Sequence, residues 1–380
     1  MNRRFLPGST IGVMGGGQLG RMFAMAARRM GYRVHVFTPD HDSPGAQFAD
    51  AATEADYGDS DAVRQFAHNV DLVTFEFENI PVETMEWCAA EVEVRPAAAI
   101  VETAQNRLRE KNFFSENGFP VPLFRSVRTS AELVSAVEQI GRAAILKTAA
   151  FGYDGKGQQS ISSRDLDEVW KMRAGDELLL ERAIDFEKEI SVIVARNPDG
   201  EMKVFPVGEN IHRDHILDFT IVPADIREPV AKEAVELACA VAEKLQAIGL
   251  VAVEMFLESD GTLLINEIAP RPHNSGHWSI EGCATSQFEQ HVRAVCGLSL
   301  GSTELLRPSA MANLLGDIWQ NGEPDWAAAL ALPNVHLHLY GKHEARPRRK
   351  MGHLTAVASS AEEAAKLVRQ ARENLCKQKS

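Results

Sequence analysis

The sequence is poor in basic residues relative to acidic ones. Its 380 residues include 53 Asp or Glu and 40 Lys or Arg, which gives a formal net charge of −13 at pH 7. General binding to nucleic acid needs a basic surface, because contacts to the phosphate backbone supply much of that affinity. The charge therefore argues against a nucleic-acid partner, and any anionic ligand has to be held by a local basic site.

Cysteine and long apolar runs are also scarce. The cysteines are odd in number, scattered and without a C-x-x-C pair: Cys88, Cys239, Cys283, Cys296 and Cys376. This distribution favours a reducing cytoplasm over a disulfide framework or a zinc site. No apolar segment of a signal peptide follows the N-terminal arginines, and no stretch is long enough to span a membrane. We expect a cytoplasmic protein of two or three domains that has no membrane partner.

The first hundred residues alternate between strand and helix patterns, which predicts a doubly wound parallel sheet. Within them, Gly15-x-Gly17-x-x-Gly20 follows a buried strand, and Asp40 lies about twenty residues further on, as in a dinucleotide-binding fingerprint. The physical content of this motif is that N–H groups at a helix N-terminus can approach an anion. The motif therefore leaves open a nicotinamide cofactor, the phosphate of another substrate, or a tight structural turn.

Two glutamates lie at the end of the strand predicted over Leu72–Phe77. Glu76 and Glu78 point to the same face at the carboxyl edge of the sheet, where open α/β sheets bind ligands. One of them is a reasonable substrate contact, and the alternative is a polar strand end.

A lysine and a glycine-rich loop come next along the chain. Lys147 ends an apolar strand, and Thr148–Gly157 then contains three glycines and Lys156. The N–H groups of such a loop can form an anion-binding concavity, and the two lysines add point charges. The loop is not a Walker A motif, so a phosphate-binding loop and a surface hairpin are both compatible with it.

Asp260-Gly261 separates two apolar strands and is a strong hairpin signal, since a type I′ turn needs positive φ at both central positions. Counting outward from this turn pairs Phe256 with Ile265, and Glu254 with Glu267. The two glutamates then face each other with Cβ atoms about 5 Å apart. Mg²⁺ carrying phosphates would compensate their repulsion, and so would an arginine partner or a shifted pKa.

Two further polar segments follow the hairpin along the chain. The first contains two prolines and cannot extend the hairpin, and it favours the metal by placing four polar side chains just past the acids: Arg271, His273, Asn274 and Ser275. The second, Gly341–His353, is the dense basic run of an acidic chain. A solvated face and an anion-binding role are both open for it.

In this order the parts resemble the ATP-grasp superfamily, whose members activate a carboxylate as an acyl phosphate and pass it to an amine. Within it, the chain is similar to the 5-(carboxyamino)imidazole ribonucleotide synthase family of purine biosynthesis. The similarity spans nearly the whole chain and rests on these stretches: Gly15–Met22, Phe75–Asn79, Phe151–Gln158, Asn266–Gly276 and Arg349–His353. Arg348 departs from the family pattern, which has a glycine there.

The resemblance implies an α/β and α+β protein, in which a doubly wound parallel-sheet domain precedes an ATP-grasp fold of two antiparallel lobes and a small C-terminal segment. We place the divisions at 1–103, 104–180, 181–305 and 306–380. The implied reaction is the ATP- and bicarbonate-dependent carboxylation of 5-aminoimidazole ribonucleotide through carboxyphosphate, by a homodimer. The alternatives are a formate-dependent glycinamide ribonucleotide transformylase, a biotin carboxylase, or an oxidoreductase that uses the glycine motif.

The same resemblance implies the site residues. ATP would contact Arg107, Lys147, Gly152, Tyr153, Asp154, Gly155, Lys156, Gly157, Gln158, Glu181, Arg182, Ala183, Ile184, Glu189, His212, Asn266 and Glu267. Glu254 and Glu267 would bind Mg²⁺. The other substrates would contact Gln18, Glu76, Tyr153, Asp154, Arg271, His273, Asn274, Ser275, Lys342, Arg349 and Lys350. Asp154, Lys156 and Arg271 would be catalytic, with Asp154 orienting or deprotonating the amine.

Overall fold

The computed structural model describes residues 3–150, 157–161, 165–172 and 175–376. The predictions for Gly152, Tyr153, Asp154, Gly155 and Lys156 therefore lie outside the described residues. All five cysteines are described and are free thiols, as expected for a chain without a disulfide framework. In the described part of the chain, no helix has the length and apolar character needed to cross a membrane.

The elements alternate between strands and helices through the N-terminal half. The strands are β1 (Thr10–Met14), β2 (Arg33–Thr38), β3 (Ala51–Glu54), β4 (Leu72–Phe75), β5 (Glu93–Val94), β6 (Phe124–Val127), β7 (Ala144–Thr148), β8 (Gln158–Ser160), β9 (Leu178–Arg182), β10 (Phe186–Arg196), β11 (Met202–Val204), β12 (Gly208–Arg213), β13 (Ile216–Val222), β14 (Gly249–Glu258), β15 (Leu263–Ala269), β16 (Ser309–Leu315), β17 (Val335–Leu339) and β18 (Lys350–Val357). The α-helices are α1 (Gln18–Arg29), α2 (Ser60–His68), α3 (Val82–Glu91), α4 (Ala98–Ala104), α5 (Arg107–Glu116), α6 (Ser130–Ile140), α7 (Leu166–Lys171), α8 (Glu228–Lys244), α9 (Ser279–Gly282), α10 (Gln287–Val295), α11 (Trp326–Leu330) and α12 (Ala361–Leu375).

The first sheet is parallel and has the strand order β3-β2-β1-β4-β5. Its central strands are fully buried, as expected for a sheet covered on both faces. This arrangement confirms the predicted doubly wound N-terminal domain.

A smaller antiparallel sheet forms the lid lobe, with the order β6-β9-β7-β8. Helix α5 leads into this lobe and begins at Asn106, whose side chain accepts hydrogen bonds from the N–H groups of Leu108 and Arg109. The predicted boundary at residue 180 falls inside β9, which pairs with β6 and β7 of the lid sheet, and the first strand of the large sheet is β10, which begins at Phe186.

The third sheet joins the large lobe to the C-terminal segment. Its order is β15-β14-β10-β12-β13-β16-β18-β17, and β11 pairs with β10. Strand β13 of the large lobe pairs with β16, which lies beyond the predicted boundary at 305. The C-terminal segment is therefore part of the same sheet. The sequence did not predict β16 and β18, because both strands contain small residues and lack the alternation of apolar and polar residues that identifies a strand.

The β14–β15 hairpin has the predicted pair of acids but a different register near its turn. Glu254 pairs with Glu267, whereas Phe256 pairs with Leu264 and not with Ile265. The loop has three residues, since the Glu258 N–H bonds to the Thr262 carbonyl. A β-bulge between Glu254 and Met255 restores the register, so the prediction for Phe256 was wrong and the prediction for the glutamates was confirmed.

A buried histidine joins the N-terminal domain to the large lobe. The Leu250 N–H donates to Nδ1 of His291 at 3.2 Å, so Nε2 carries the proton and donates to the Thr74 hydroxyl at 3.1 Å. His291 is 1% exposed. Burial lowers the pKa of His291 to about 3, and a protonated ring would lose its bond from Leu250.

We predict that His291 makes the protein sensitive to acid. Below about pH 6.5 the unfolded chain binds a proton that the folded protein does not, so the free energy of unfolding falls as pH decreases toward 3, by about 1.4 kcal/mol per pH unit. His291→Gln should reduce this slope by up to about 1.4 kcal/mol per pH unit, which is the contribution of one proton. The substitution also lowers stability at neutral pH. Urea unfolding at several pH values measures the effect, with exposed His68→Gln as the control. A slope unchanged by His291→Gln would contradict it.

Candidate active site

The described residues enclose a cavity of about 790 Å³ between the lid sheet and the large sheet. Strands β7, β8 and β9 contribute one wall, and β10, β12, β14 and β15 contribute the other. The cavity brings together many residues predicted from sequence: Arg107, Lys147, Gln158, Glu181, Arg182, Ala183, Ile184, Glu189, His212, Glu254, Asn266, Glu267, Arg271, His273, Asn274 and Lys350. Lys147 and Arg182 lie on the lid sheet, and the carboxylates of Glu189, Glu254 and Glu267 lie on the opposite sheet.

The lysine predicted to bind phosphate is held by a buried carboxylate. Lys147 and Lys111 both pair with Glu181, and the Lys111 Nζ–Glu181 Oε2 distance is 2.9 Å. Burial opposes the charged form of Glu181, but the two lysines outweigh it and lower the pKa of this carboxyl to about 2. The Glu181 side chain is thus paired with the two lysines. The residues that follow it in the cavity wall, Arg182–Ile184, are the part of this segment that a ligand can contact.

The two facing acids and Asn266 line the same cavity. Neighbouring residues of a strand normally point to opposite faces, and the bulge at Asn266 allows both Asn266 and Glu267 to reach the cavity. Burial, and then repulsion from Glu267, raises the pKa of Glu254 to about 8. Glu254 therefore gives up its proton less readily than an exposed glutamate, and a cation bound between the two acids would reverse this effect.

Glu110 is a third acid at this place. Burial, and then repulsion from Glu267, raises its pKa to about 8, and its carboxylate accepts a hydrogen bond from the Ile268 N–H at 2.8 Å. Within the described residues, no cluster of three His, Cys, Asp or Glu side chains is arranged to hold a metal ion. The geometry instead suits an ion that takes part of its ligands from a bound phosphate, which is the usual arrangement for Mg²⁺.

Glu189 and His212 form an ion pair on the wall of the cavity. Burial opposes the charged form of His212, but Glu189 outweighs it and raises the pKa of the imidazole. The pair joins β10 to β12, so the two predicted nucleotide contacts hold each other in place.

The far end of the cavity contains Arg271. Its guanidinium forms a two-pronged contact with Glu78, in which Nη2 lies 2.8 Å from Oε1. Burial raises the pKa of Glu78, but Arg271 outweighs it and lowers the pKa overall. Sequence reasoning chose Glu76 from these two glutamates, and the structure places Glu78 beside Arg271 in the cavity.

His273 and its neighbours form a neutral polar surface. Burial, followed by the charge of Arg271, lowers the pKa of His273 well below its usual value. Its Nδ1 contacts the Ser275 hydroxyl at 2.8 Å, and its Nε2 lies 3.3 Å from Glu254. The side-chain nitrogen of Asn274 is buried and has no acceptor among the described residues, so it is available to an oxygen of a ligand.

Glu76 fills the glycine turn of the first domain. Its carboxylate accepts hydrogen bonds from the N–H groups of Gly17 and Gly20. A Cβ at Gly17 would lie 2.4 Å from a Glu76 oxygen, so the glycine makes room for this side chain. The N–H groups that would bind a dinucleotide phosphate are therefore occupied within the protein. This finding overturns the oxidoreductase alternative drawn from the glycine motif.

The remaining predicted residues lie near the cavity but not in its described wall. Gln18 begins α1 next to the turn filled by Glu76, and Ser275 is buried behind His273. The Lys342 ammonium donates to the Lys350 carbonyl at 2.8 Å, and Arg349 donates to the Glu344 carbonyl at 2.9 Å. Gly157 has a φ of +75° and precedes β8, where a Cβ would meet the Thr148 hydroxyl at 2.3 Å.

Sequence reasoning missed several residues of the wall. Glu110 lies three positions after Arg107 on α5, so helical spacing places both on the face that lines the cavity. Phe256 lies two positions after Glu254, hence on the same face of β14, and its ring stacks on Phe186 at 4.9 Å between centroids. Asp214 and His215 also line the cavity, and no pattern in the sequence pointed to them.

Three family models match successive parts of the chain. A ribonucleotide synthetase preATP-grasp domain matches residues 8–105, an ATP-grasp domain matches residues 112–288, and a phosphoribosylaminoimidazole carboxylase C-terminal domain matches residues 309–367. The ATP-grasp match covers the lid sheet and strands β10–β15 of the large sheet, and the C-terminal match covers β16, β17 and β18 of that same large sheet.

Curated proteins and solved structures resemble the chain over nearly its whole length. The N5-carboxyaminoimidazole ribonucleotide synthase of Bacillus subtilis is 44% identical, with 92% of this chain and 91% of that protein covered. The bifunctional purine synthesis protein purC/E of Dictyostelium discoideum is also 44% identical over 92% of this chain, which spans 37% of that longer protein.

Two solved structures contain ligands. An N5-carboxyaminoimidazole ribonucleotide synthetase in complex with ADP is 44% identical, with a TM-score of 0.92 and 98% of each chain covered. The Aspergillus clavatus enzyme in complex with ADP and 5-aminoimidazole ribonucleotide is 34% identical, with a TM-score of 0.89 and 97% and 99% of the chains covered. The chain thus belongs to the N5-carboxyaminoimidazole ribonucleotide synthase family of ATP-grasp ligases.

Proposed function

We propose that this protein uses ATP and bicarbonate to carboxylate the exocyclic amine of 5-aminoimidazole ribonucleotide, releasing ADP and phosphate. The observation that carries the proposal is one cavity that joins a lid wall containing Lys147 and Arg182, two facing glutamates and the Arg271–Asn274 segment. A phosphoryl donor, a divalent cation and a small oxyanion would then meet in one enclosed volume. Relatives named for this activity, one of them solved with ADP and the ribonucleotide, support it.

The nucleotide would occupy the part of the cavity beneath the lid. Lys147 and Arg107 would contact its phosphates, together with Gln158, Gly157 and the loop that contains Lys156. Arg182–Ile184 would meet the adenine, and the paired Glu189 and His212 would meet the ribose. Because Glu181 restrains Lys147, the ammonium is oriented before the nucleotide binds.

The residues around Glu254 fit Mg²⁺. Two carboxylates and the Asn266 amide supply the oxygen ligands that this ion prefers. Burial, and then Glu267, raises the pKa of Glu254, and a bound cation would favour its charged form. When bound there, Mg²⁺ would neutralise part of the charge on the nucleotide phosphates. Glu110 would remain behind Glu267 as a support for the strand through its bond from Ile268.

Bicarbonate would lie between Arg271, His273 and Asn274. The Arg271 guanidinium is fixed by Glu78 and supplies positive charge for the anion, and the buried side-chain nitrogen of Asn274 has no acceptor among the described residues. The neutral His273 imidazole would add a polar contact. Ser275 would act indirectly by holding His273. These groups would place a bicarbonate oxygen in line with the γ-phosphoryl group, and catalysis would come from positioning and charge stabilisation.

The ribonucleotide would approach from the first domain and the C-terminal basic run. Gln18 and the turn shaped by Glu76 would face its ribose, and its phosphate would meet Lys342, Arg349 and Lys350. Tyr153 and Asp154 would close over the amine, with Asp154 as its base. The amine would then take the carboxyl carbon of carboxyphosphate, and a closed loop would limit loss of this intermediate to water.

We also propose that the enzyme is a cytoplasmic homodimer. The apolar exposed side chains of the surface, such as Leu6 and Leu306, are compatible with a partner copy. Light scattering of the purified protein measures the oligomeric state.

Phosphate release from ATP tests the function directly. We expect release to require both 5-aminoimidazole ribonucleotide and bicarbonate. Formate with glycinamide ribonucleotide, or biotin with bicarbonate, should not replace them. Dependence on formate or biotin would instead identify a sister ligase.

We predict that Glu267→Gln abolishes turnover without unfolding the protein. The substitution keeps the shape of the side chain but removes the charge that would hold Mg²⁺, so kcat should fall by at least about 100-fold. Phosphate release and thermal melting measure the two effects. Glu243→Gln, which alters an exposed carboxylate on α8, is the matched control. Near-normal turnover of Glu267→Gln would reject the metal role.

We predict that Arg349→Ala weakens the ribonucleotide and spares ATP. A charged hydrogen bond to phosphate corresponds to about a 10- to 100-fold change in KM for 5-aminoimidazole ribonucleotide. The KM for ATP should change by less than about twofold, since Arg349 lies outside the described cavity wall. Initial rates with each substrate varied separate the two constants, and equal changes in both would tell against a phosphate contact.

A further inference from the structure

The turn between β12 and β13 forms part of the nucleotide cavity in a strained conformation. Its two central residues, Asp214 and His215, have φ values of +50° and +64°. A type I′ turn requires positive φ at both positions and is usually built with Asn and Gly. Both residues line the cavity close to His212. Because neither is glycine, their conformation needs support from outside the turn.

A second strained residue supplies a contact to this turn. Arg348 has a φ of +66°, in the left-handed region that favours glycine. Its Nη2 donates a hydrogen bond of 2.9 Å to the carbonyl of Asp214, which lies 134 positions away in sequence. The arginine thus links the C-terminal basic run to the nucleotide side of the cavity.

The backbone around Arg348 is held by other groups. The Arg348 N–H donates to Asp317 Oδ2 at 2.7 Å, and the Gly316 N–H donates to the Arg349 carbonyl at 2.8 Å. These bonds fix the path of the loop without the Arg348 side chain. A glycine at position 348 would adopt the same backbone without strain, so the loop and the contact to Asp214 can be altered separately.

We propose that Arg348 is a positioning residue for nucleotide binding. Its guanidinium holds the Asp214 carbonyl and thereby fixes the Asp214–His215 turn as a wall of the cavity. Arg348 contacts no substrate itself. The inference rests on the proposed function, because it requires that the nucleotide occupies this cavity. The role assigned to Arg348 differs from that of Arg349, which is proposed to contact the substrate phosphate.

Three substitutions separate the side chain from the backbone. Arg348→Gly removes the side chain and relieves the strain, Arg348→Lys keeps a donor in the strained backbone, and Arg348→Met keeps the strain and length but has no donor. Arg346→Ala is the control, since Arg346 is an exposed arginine of the same loop whose Nε pairs locally with Glu344 at 3.0 Å. Melting temperatures verify that each variant is folded.

Calorimetry with Mg·ADP and initial-rate kinetics measure the effect. Arg348→Gly and Arg348→Met should raise the Kd for Mg·ADP and the KM for ATP about three- to tenfold, which corresponds to the loss of one hydrogen bond. Arg348→Lys should recover most of this loss, because the contact is a single N–H···O bond. For the Gly variant, kcat at saturating ATP and the KM for 5-aminoimidazole ribonucleotide should stay within about twofold of wild type.

Two results would overturn the inference. One is wild-type affinity for Mg·ADP in both the Gly and Met variants, which would show that the side chain does not support the turn. The other is an equal rise in the KM of ATP and of the ribonucleotide, which would indicate that Arg348 acts with Arg349 on the ribonucleotide phosphate.

If Arg348→Gly is unfolded, the Lys and Met variants decide the outcome, since both keep the strained backbone at position 348. Failure of the wild-type carboxylation assay with nucleotide binding intact would reject the proposed function and leave this inference standing.

Discussion

Two glutamates held opposite each other on a buried hairpin are the constraint on which the cavity depends. Glu254 and Glu267 are fixed by the ladder of β14 and β15, so their repulsion cannot be relieved by moving apart. Lys111 and Lys147 are paired with Glu181. The charges of His212 and Lys350 lower the pKa of Glu254 by less than burial and Glu267 raise it. His273 touches Glu254 but is neutral. The fold therefore holds two facing carboxyl groups, one of them with a raised pKa, at a place where a nucleotide would bring a cation.

Helix α5 connects the walls around this charge. Glu110 bonds to the Ile268 N–H of β15, and Lys111 contacts both Glu181 of the lid and the Ile265 carbonyl of the large sheet. Arg107, one turn earlier, donates to the Thr148 carbonyl of β7 at 2.9 Å. Three side chains on one face of α5 thus connect the lid sheet to the large sheet. These contacts restrain the distance between the lid wall that contains Lys147 and the hairpin that contains Glu254 and Glu267.

The glycine turn of the first domain shows that a glycine motif alone does not determine which anion its N–H groups bind. The same sequence that binds a dinucleotide phosphate elsewhere here accommodates the carboxylate of Glu76 from the same domain. Both ligands are anions that accept from N–H groups at the start of a helix, so the sequence motif cannot distinguish them. Glu76 directly follows β4, the third strand after β1 along the chain, and only the pairing of β1 with β4 brings it to the turn.

The sequence alone determined most of the elements before residue 300 and the residue types of the main site, because strand and helix periods, turn residues and the spacing of charged groups are local properties. It predicted the facing pair of glutamates, although the three-residue loop and the bulge at Asn266 were not foreseen and their effects on register cancelled. Tertiary structure alone decided the partners of the buried charges. The choice of Glu78 for Arg271, the restraint of Lys147 by Glu181 and the reach of Arg348 to Asp214 join residues far apart in sequence. Such contacts depend on how sheets pack against each other, and no local pattern encodes that packing.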